Sequence, residues 1–124
     1  MSDYHDSKDQ AFVWKVKNGE LTDIKKFVEE EGVDVNKEVQ GRLPLHYAAD
    51  YGQAEVLLYL LSKGANINAP DKYGITPLLS AIFEGHTAIV KLLLAWGANK
   101  SGKSPDGASY IDCAEKDEIK ALLK

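Results

Sequence analysis

Apolar residues in the central part of the chain recur at the spacing of amphipathic helices. One run occupies positions i, i+1, i+4 and i+5 of a single helical face: Ile89, Val90, Leu93 and Leu94. Gly97 follows this run, as expected where a helix ends in the left-handed conformation. The same pattern occurs earlier in the chain: Val56, Leu57, Leu60, Leu61 and Gly64. Two similar helices are therefore predicted, each with one apolar face.

A shorter helix is predicted before each of these. Thr76 supplies a hydroxyl cap, and Pro77 fits the first helical position because its missing N–H costs nothing there. The helix over 78–83 ends at the Glu84-Gly85-His86 sequence. A helix pair of this size leaves one face uncovered, so copies of the pair are expected to stack.

The helix pair repeats at a step of 33 residues, which relates Pro44 to Pro77 and Gly64 to Gly97. This period, with Thr76-Pro77-Leu78 at the first helix, is typical of ankyrin repeats. The sequence predicts an all-α ankyrin-repeat solenoid of about four helix-turn-helix repeats with short β-turn fingers. The predicted single domain covers residues 1–124, with a flexible tail over 1–7 and repeats at approximately 8–40, 41–73, 74–106 and 107–124.

Composition agrees with one globular domain that has no chemistry of its own. The chain has 124 residues, 44% hydrophobic and 27% charged, and a net charge of −4 that resides entirely in its first forty residues. This balance opposes nucleic-acid binding and favours a basic partner at the acidic end. We expect no membrane segment or secretory leader, and the single Cys113 fits a reducing compartment. The expected location is the cytoplasm, with nuclear entry left open.

One segment matches a catalytic motif in its letters. Gly97–Ser104 fits the phosphate-binding loop pattern, but a Leu-rich helix precedes it where a strand is needed, and Pro105 turns the chain directly afterwards. The histidines are too widely and unequally spaced for a helical metal site, and no base is indicated near Cys113. We therefore expect no enzyme activity, no cofactor and no metal, with nucleotide binding at Gly97–Ser104 as the alternative.

The predicted binding surface lies on the inner helices and the turn tips, which form the concave face of ankyrin stacks. In repeat register this face carries large rings interleaved with acids, as protein-binding hot spots do. The candidate partner-binding residues are Trp14, Tyr47, Asp50, Tyr51, Tyr73, Phe83 and Glu84. For Trp14 and Tyr47, packing between helices is the alternative. Trp96, just before Gly97, is expected to be a loosely covered surface ring, with a second, convex contact as the alternative.

Several stretches of the chain resemble the myotrophin family of small ankyrin-repeat proteins. They cover nearly the whole chain from about Phe12 onward: Lys17–Leu21, Pro44–Asp50, Asn68–Lys72, Ile75–Ala81, Glu84–His86 and Ile119–Leu123. Departures from the family include Leu43, where a capping Thr is usual, and Trp96 in place of a lysine.

The resemblance implies a function in actin assembly. It implies that the chain, as a monomer, binds the actin capping protein heterodimer and prevents it from capping filament barbed ends, without catalysis. The actin-binding surface of that partner is expected to be basic, in agreement with the acidic first third. The alternative is a module that binds or retains a Rel-family transcription factor or another cytosolic protein, although four repeats form a short array for a large dimer.

Overall fold

The chain forms four successive helix pairs. A computed structural model describes residues 3–124, with side chains from Lys8 onward. In it the chain forms eight helices: α1 (Asp3–Lys17), α2 (Leu21–Glu29), α3 (Pro44–Asp50), α4 (Ala54–Ser62), α5 (Pro77–Glu84), α6 (Thr87–Ala95), α7 (Tyr110–Cys113) and α8 (Asp117–Leu123). The expected tail over 1–7 is helical from Asp3 onward, and Met1 and Ser2 lie outside the described residues.

The helices stack in two layers. The inner layer is built by contacts of α1 with α3, α3 with α5 and α5 with α7, and the outer layer by α2 with α4, α4 with α6 and α6 with α8. In residues 3–124 the only β pairing is two isolated bridges, Val39 with Arg42 and Lys103 with Ser109. The predicted all-α repeat solenoid is confirmed.

The apolar faces predicted from the periodicity form one continuous core. Leu60 and Leu93, one repeat apart, are both 0% exposed and lie on the outer helices α4 and α6. Small residues on the inner helices, Ala48 and Ala81, are also fully buried. These equivalent positions show that successive helix pairs pack in the same register.

Short turns, here called fingers, connect the repeats, and the first finger differs from the second. The first finger (39–42) is a two-residue hairpin turn in which Gln40 and Gly41 have φ values of 56° and 80°. In the second finger (71–75) the Asp71 carboxylate accepts hydrogen bonds from the backbone N–H groups of Tyr73 and Ile75. The second turn is held by its own aspartate, whereas the first holds Gln40 in a conformation that few side chains adopt.

Asparagine side chains tie the repeats together where each outer helix ends. The backbone N–H of Asn66 donates to Oδ1 of Asn36 at 2.9 Å, and the N–H of Asn99 donates to Oδ1 of Asn68 at 2.9 Å. These bonds, here called the asparagine ladder, satisfy backbone groups that would otherwise need water. They fix the edge of the stack at which α2, α4 and α6 end.

Candidate functional site: the concave stripe

Four of the seven candidate partner-binding residues are rings that reach solvent. Trp14, Tyr51, Tyr73 and Phe83 are between 50% and 60% exposed. Aromatic side chains are usually mostly buried in a single domain, so four half-exposed rings need an explanation other than packing. The seven candidates together are called the concave stripe.

The exposed rings lie on three successive inner helices and one finger. Trp14 lies on α1, Tyr51 follows α3, and Phe83 and Glu84 end α5, while Tyr73 is in the second finger. Gly85, with a φ of 70°, ends α5 directly after Glu84. The stripe therefore crosses the stack, and Glu84 is exposed beside the Phe83 ring.

The Trp14 ring lines an open cavity of about 200 Å³ between α1 and the first finger. Its walls are Gln10, Val13, Trp14, Lys17, Val39 and Gln40. The Nζ of Lys15 lies 5.5 Å from the centre of the Trp14 ring. Trp14 is thus exposed and not packed between helices, and it joins the first helix to the first finger in one surface.

Tyr47 has the alternative role that the sequence left open, because its ring is packed. The side chain is only 5% exposed, and its hydroxyl donates a 2.7 Å hydrogen bond to the carbonyl oxygen of Val39. The ring lies between two cations, with Nζ of Lys17 5.2 Å and Cζ of Arg42 5.1 Å from its centre. Burial raises the pKa of Tyr47 above its ordinary value. Tyr47 supports the first finger from beneath.

Asp50 is held by an internal ion pair. Its Oδ2 accepts a hydrogen bond from Nη1 of Arg42 at 3.1 Å, and the same guanidinium donates to Oδ2 of Asp71 at 3.2 Å and to Oγ of Ser80 at 3.1 Å. Arg42 therefore neutralises much of the charge that Asp50 would present to a partner. Glu84 remains the exposed acid of the stripe.

Residues outside the predicted set also belong to this surface. Lys17 contacts the cavity at Trp14, and its Nζ lies 5.5 Å from the Tyr51 ring. It occupies the same repeat position as Asp50 and Phe83, so the register of 33 residues was a signal that could have found it. The first half of the stripe is thus aromatic and basic, and its acid lies farther along the stack at Glu84.

His46 links the second repeat to the third as a neutral imidazole. Its Nδ1 accepts a hydrogen bond from the backbone N–H of Leu43 at 3.1 Å, and its Nε2 donates to the carbonyl oxygen of Ile75 at 2.8 Å. This ring takes over the start of α3, where Leu43 has no side-chain oxygen, whereas Thr76 caps α5. Burial lowers the pKa of His46 below its ordinary value of 6.5.

The lowered pKa of His46 predicts that the fold loses stability in mild acid. Below about pH 6.5 the unfolded chain binds a proton at this imidazole while the folded chain resists it, so the free energy of unfolding falls until the folded-state pKa is reached. Urea unfolding of wild type and of His46→Asn, measured from neutral to mildly acidic pH, tests this. The wild type should lose stability more steeply than the variant, which has no imidazole at this position. Equal pH dependence of the two proteins would contradict the assignment.

The Gly97–Ser104 segment is a turn between repeats. Helix α6 precedes it, and three of its backbone N–H groups already donate within the protein: Ala98 to Leu93, Asn99 to the side chain of Asn68, and Ser104 to Ala108. A phosphate loop needs such groups free and pointing at the ligand. Among the residues with described positions, no cluster of three or more His, Cys, Asp or Glu side chains is arranged for a metal ion.

Comparisons with known proteins agree with this architecture. The family model for ankyrin repeats matches residues 12–104 in three copies. The chain is 57% identical to myotrophin of Xenopus tropicalis over 116 residues, which cover 93% of this chain and 98% of that protein. It is 55% identical to human myotrophin over 117 residues, covering 94% and 98% of the two chains. It is also 41% identical to the 26S proteasome non-ATPase regulatory subunit 10 of Dictyostelium discoideum over 95 residues, covering 75% and 41%.

The fold and the matched repeats define the chain as an ankyrin-repeat protein, which is a class of protein-binding modules. Within that class it belongs to the myotrophin family, because the identity extends over nearly the full length of both chains. In the part of the chain that the structure describes, no helix is both long and apolar enough to cross a bilayer.

Proposed function

We propose that the chain binds the actin capping protein heterodimer through the concave stripe and keeps it away from filament barbed ends. The observation that carries the proposal is the set of half-exposed rings on successive inner helices of a chain that belongs to the myotrophin family. Such rings anchor in pockets of a partner at low entropic cost. The module acts as a monomer in the cytoplasm, by occupying a surface and without catalysis.

The arrangement of the stripe divides the work between docking and attraction. Trp14, Tyr51 and Phe83 supply apolar area that becomes desolvated after docking, and this mainly slows dissociation. Glu84 and the acidic first third attract a basic partner surface over a distance, and this mainly speeds association. Asp50 contributes less to attraction because Arg42 is bonded to it.

Phe83→Ala is expected to raise the dissociation rate from capping protein about tenfold, because a half-exposed ring at the end of α5 is lost from the interface. Glu84→Lys is expected to slow association and to make its salt dependence shallower, because it reverses a charge that attracts a basic surface. Surface-immobilised capping protein, measured at several salt concentrations, separates the two rates.

The functional measurement is actin assembly from barbed ends in the presence of capping protein. Wild type should restore filament growth, and a variant carrying Trp14→Ala, Phe83→Ala and Glu84→Lys should not. The matched control is Glu55→Lys, which reverses an exposed acid on the outer helix α4. Full activity of the triple variant, with native circular dichroism, would place the binding site on another face, with the acidic segment 29–38 as the next candidate.

A further inference from the structure

The C-terminal ends of the outer helices line up along one edge of the stack. The residues that cap α2, α4, α6 and α8 at their C-termini are Glu30, Lys63, Trp96 and Lys124. Because each outer helix packs on the next, these four residues form a row, here called the cap row. All four side chains are exposed. The row runs from an acid at the first repeat to an aromatic ring between two lysines at the others.

The Trp96 ring is left partly uncovered by the fold. It is 49% exposed, although a tryptophan side chain is usually largely buried in a single domain. Neighbouring helices lie about 8–10 Å apart, so Lys63 and Lys124 flank the ring at roughly that spacing on either side. The ring is therefore an apolar centre with a cation at each side.

A third cation reaches the same edge. The Nζ of Lys100 donates a 2.7 Å hydrogen bond to the backbone carbonyl of Lys124. Within residues 8–124, whose side chains are described, Lys63, Lys100 and Lys124 form no ion pair. Helix C-termini favour cations, which accounts for part of the preference for lysine at positions 63 and 124. It does not account for the ring between them, nor for Lys100, which follows the capping turn.

The edge is also held in place before any partner arrives. The asparagine ladder fixes the backbone directly after the capping residues, through the bonds of Asn66 to Asn36 and of Asn99 to Asn68. Gly97 leaves α6 in the left-handed conformation with a φ of 90°. A surface on a rigid backbone loses little conformational freedom on binding.

We propose that the cap row from Lys63 to Lys124 binds an acidic, extended peptide segment of a partner protein, with one apolar side chain on the Trp96 ring and carboxylates on the flanking lysines. Two helix spacings separate Lys63 from Lys124 by about 20 Å, which an extended chain covers in about six residues. The segment therefore carries acids about six residues apart with an apolar residue midway. This site lies on the outer layer and is separate from the concave stripe.

Charge and size favour this occupant over other anions. A single ring offers little apolar area for insertion into a bilayer, which usually needs two membrane-binding signals. A nucleic acid would continue along the row toward the acids at its other end, where Glu29, Glu30 and Glu31 are exposed. A peptide fits the basic half of the row and stops before that acidic end.

The probe is a fluorescein-labelled peptide of sequence Glu-Glu-Thr-Thr-Leu-Thr-Thr-Glu-Glu, titrated with the whole chain by fluorescence anisotropy. Saturable binding is expected. Trp96→Ala, and separately Lys63→Glu combined with Lys124→Glu, should each weaken it about tenfold or more. Lys103→Glu, the matched control, makes the same charge change at an exposed lysine of the third finger and should change binding less than about twofold. Circular dichroism verifies that each variant is folded.

Several outcomes would overturn the proposal. These are the absence of saturable binding to the wild type, equal weakening by Lys103→Glu, or equal binding of a peptide in which lysines replace the glutamates. Cosedimentation with phosphatidylcholine–phosphatidylserine vesicles that depends on Trp96, without peptide binding, would assign the row to a membrane. Self-association that Trp96→Ala abolishes, again without peptide binding, would assign it to a second copy of this chain. Because actin assembly is not the readout, failure here leaves the proposed function of the concave stripe unaffected.

Discussion

Leu93→Ala is expected to lower the free energy of unfolding by about 2–5 kcal/mol. Leu93 is 0% exposed on α6, and α6 packs against α4 on one side and α8 on the other. Removing its side chain therefore leaves a cavity at the centre of the outer layer, which the surrounding helices fill only in part. Leu60→Ala should have a similar cost because it is equally buried one repeat earlier. Urea unfolding followed by circular dichroism measures both values.

Cys113→Ser is the comparison for these variants. The thiol lies on α7 near the end of the stack and is only partly buried, so its replacement should cost less than either leucine substitution. The difference should also appear in how unfolding propagates, because a central repeat holds neighbours on both sides and a terminal repeat holds one. Melting curves unchanged by both leucine substitutions would show that the helices do not stack in the stated register.

The repeat architecture could be predicted because each helix pair carries its own signals. Pro77 and Gly97 mark where helices begin and end, and the spacing of the leucines sets the buried face. The same step of 33 residues then placed Trp14, Tyr51 and Phe83 on exposed positions, where the structure has them. Local rules repeated in register are enough to determine a solenoid.

The polar interior could not be predicted in the same way. The Arg42 guanidinium joins Asp50, Asp71 and Ser80, which are separated from it by 8, 29 and 38 residues. No periodic pattern reports such a contact, because it depends on the side chains of two repeats at once. Tyr47 shows the same limit, since a ring on the inner helix is buried or exposed according to whether Val39 offers its carbonyl.

The first finger is a second place where the local pattern was insufficient. The asparagine ladder pairs Asn36 with the repeat position of Asn68, 32 residues later, whereas Pro44 and Pro77 differ by 33. The first finger is therefore one residue shorter than the second, and it adopts a two-residue turn with Gln40 at positive φ. Because the extra residue among Glu29 to Glu31 offsets this deletion, the repeats return to register by Pro44.

Arg42→Ala is expected to be the most destabilising single substitution among the polar residues, at about 3–5 kcal/mol. The Asp71 side chain is 1% exposed, and Arg42 is the cation bonded to it. Without the guanidinium, a buried carboxylate keeps the two backbone N–H groups on Oδ1 and loses the donor on Oδ2. The Tyr47 ring also loses the cation stacked on it. Chemical unfolding at neutral pH measures the loss.

Asp50→Ala separates the two halves of this network. Asp50 is partly exposed to water, so its removal should cost only about 1 kcal/mol, because Arg42 keeps its bonds to Asp71 and Ser80. Arg42→Lys should not rescue the fold, since one ammonium cannot reproduce a guanidinium fork that reaches three acceptors. The order of stability is therefore wild type, Asp50→Ala, and then both Arg42 variants. If Asp50→Ala were as destabilising as Arg42→Ala, the surface pair would be the main contribution, and Asp71 would not need a cation to remain buried.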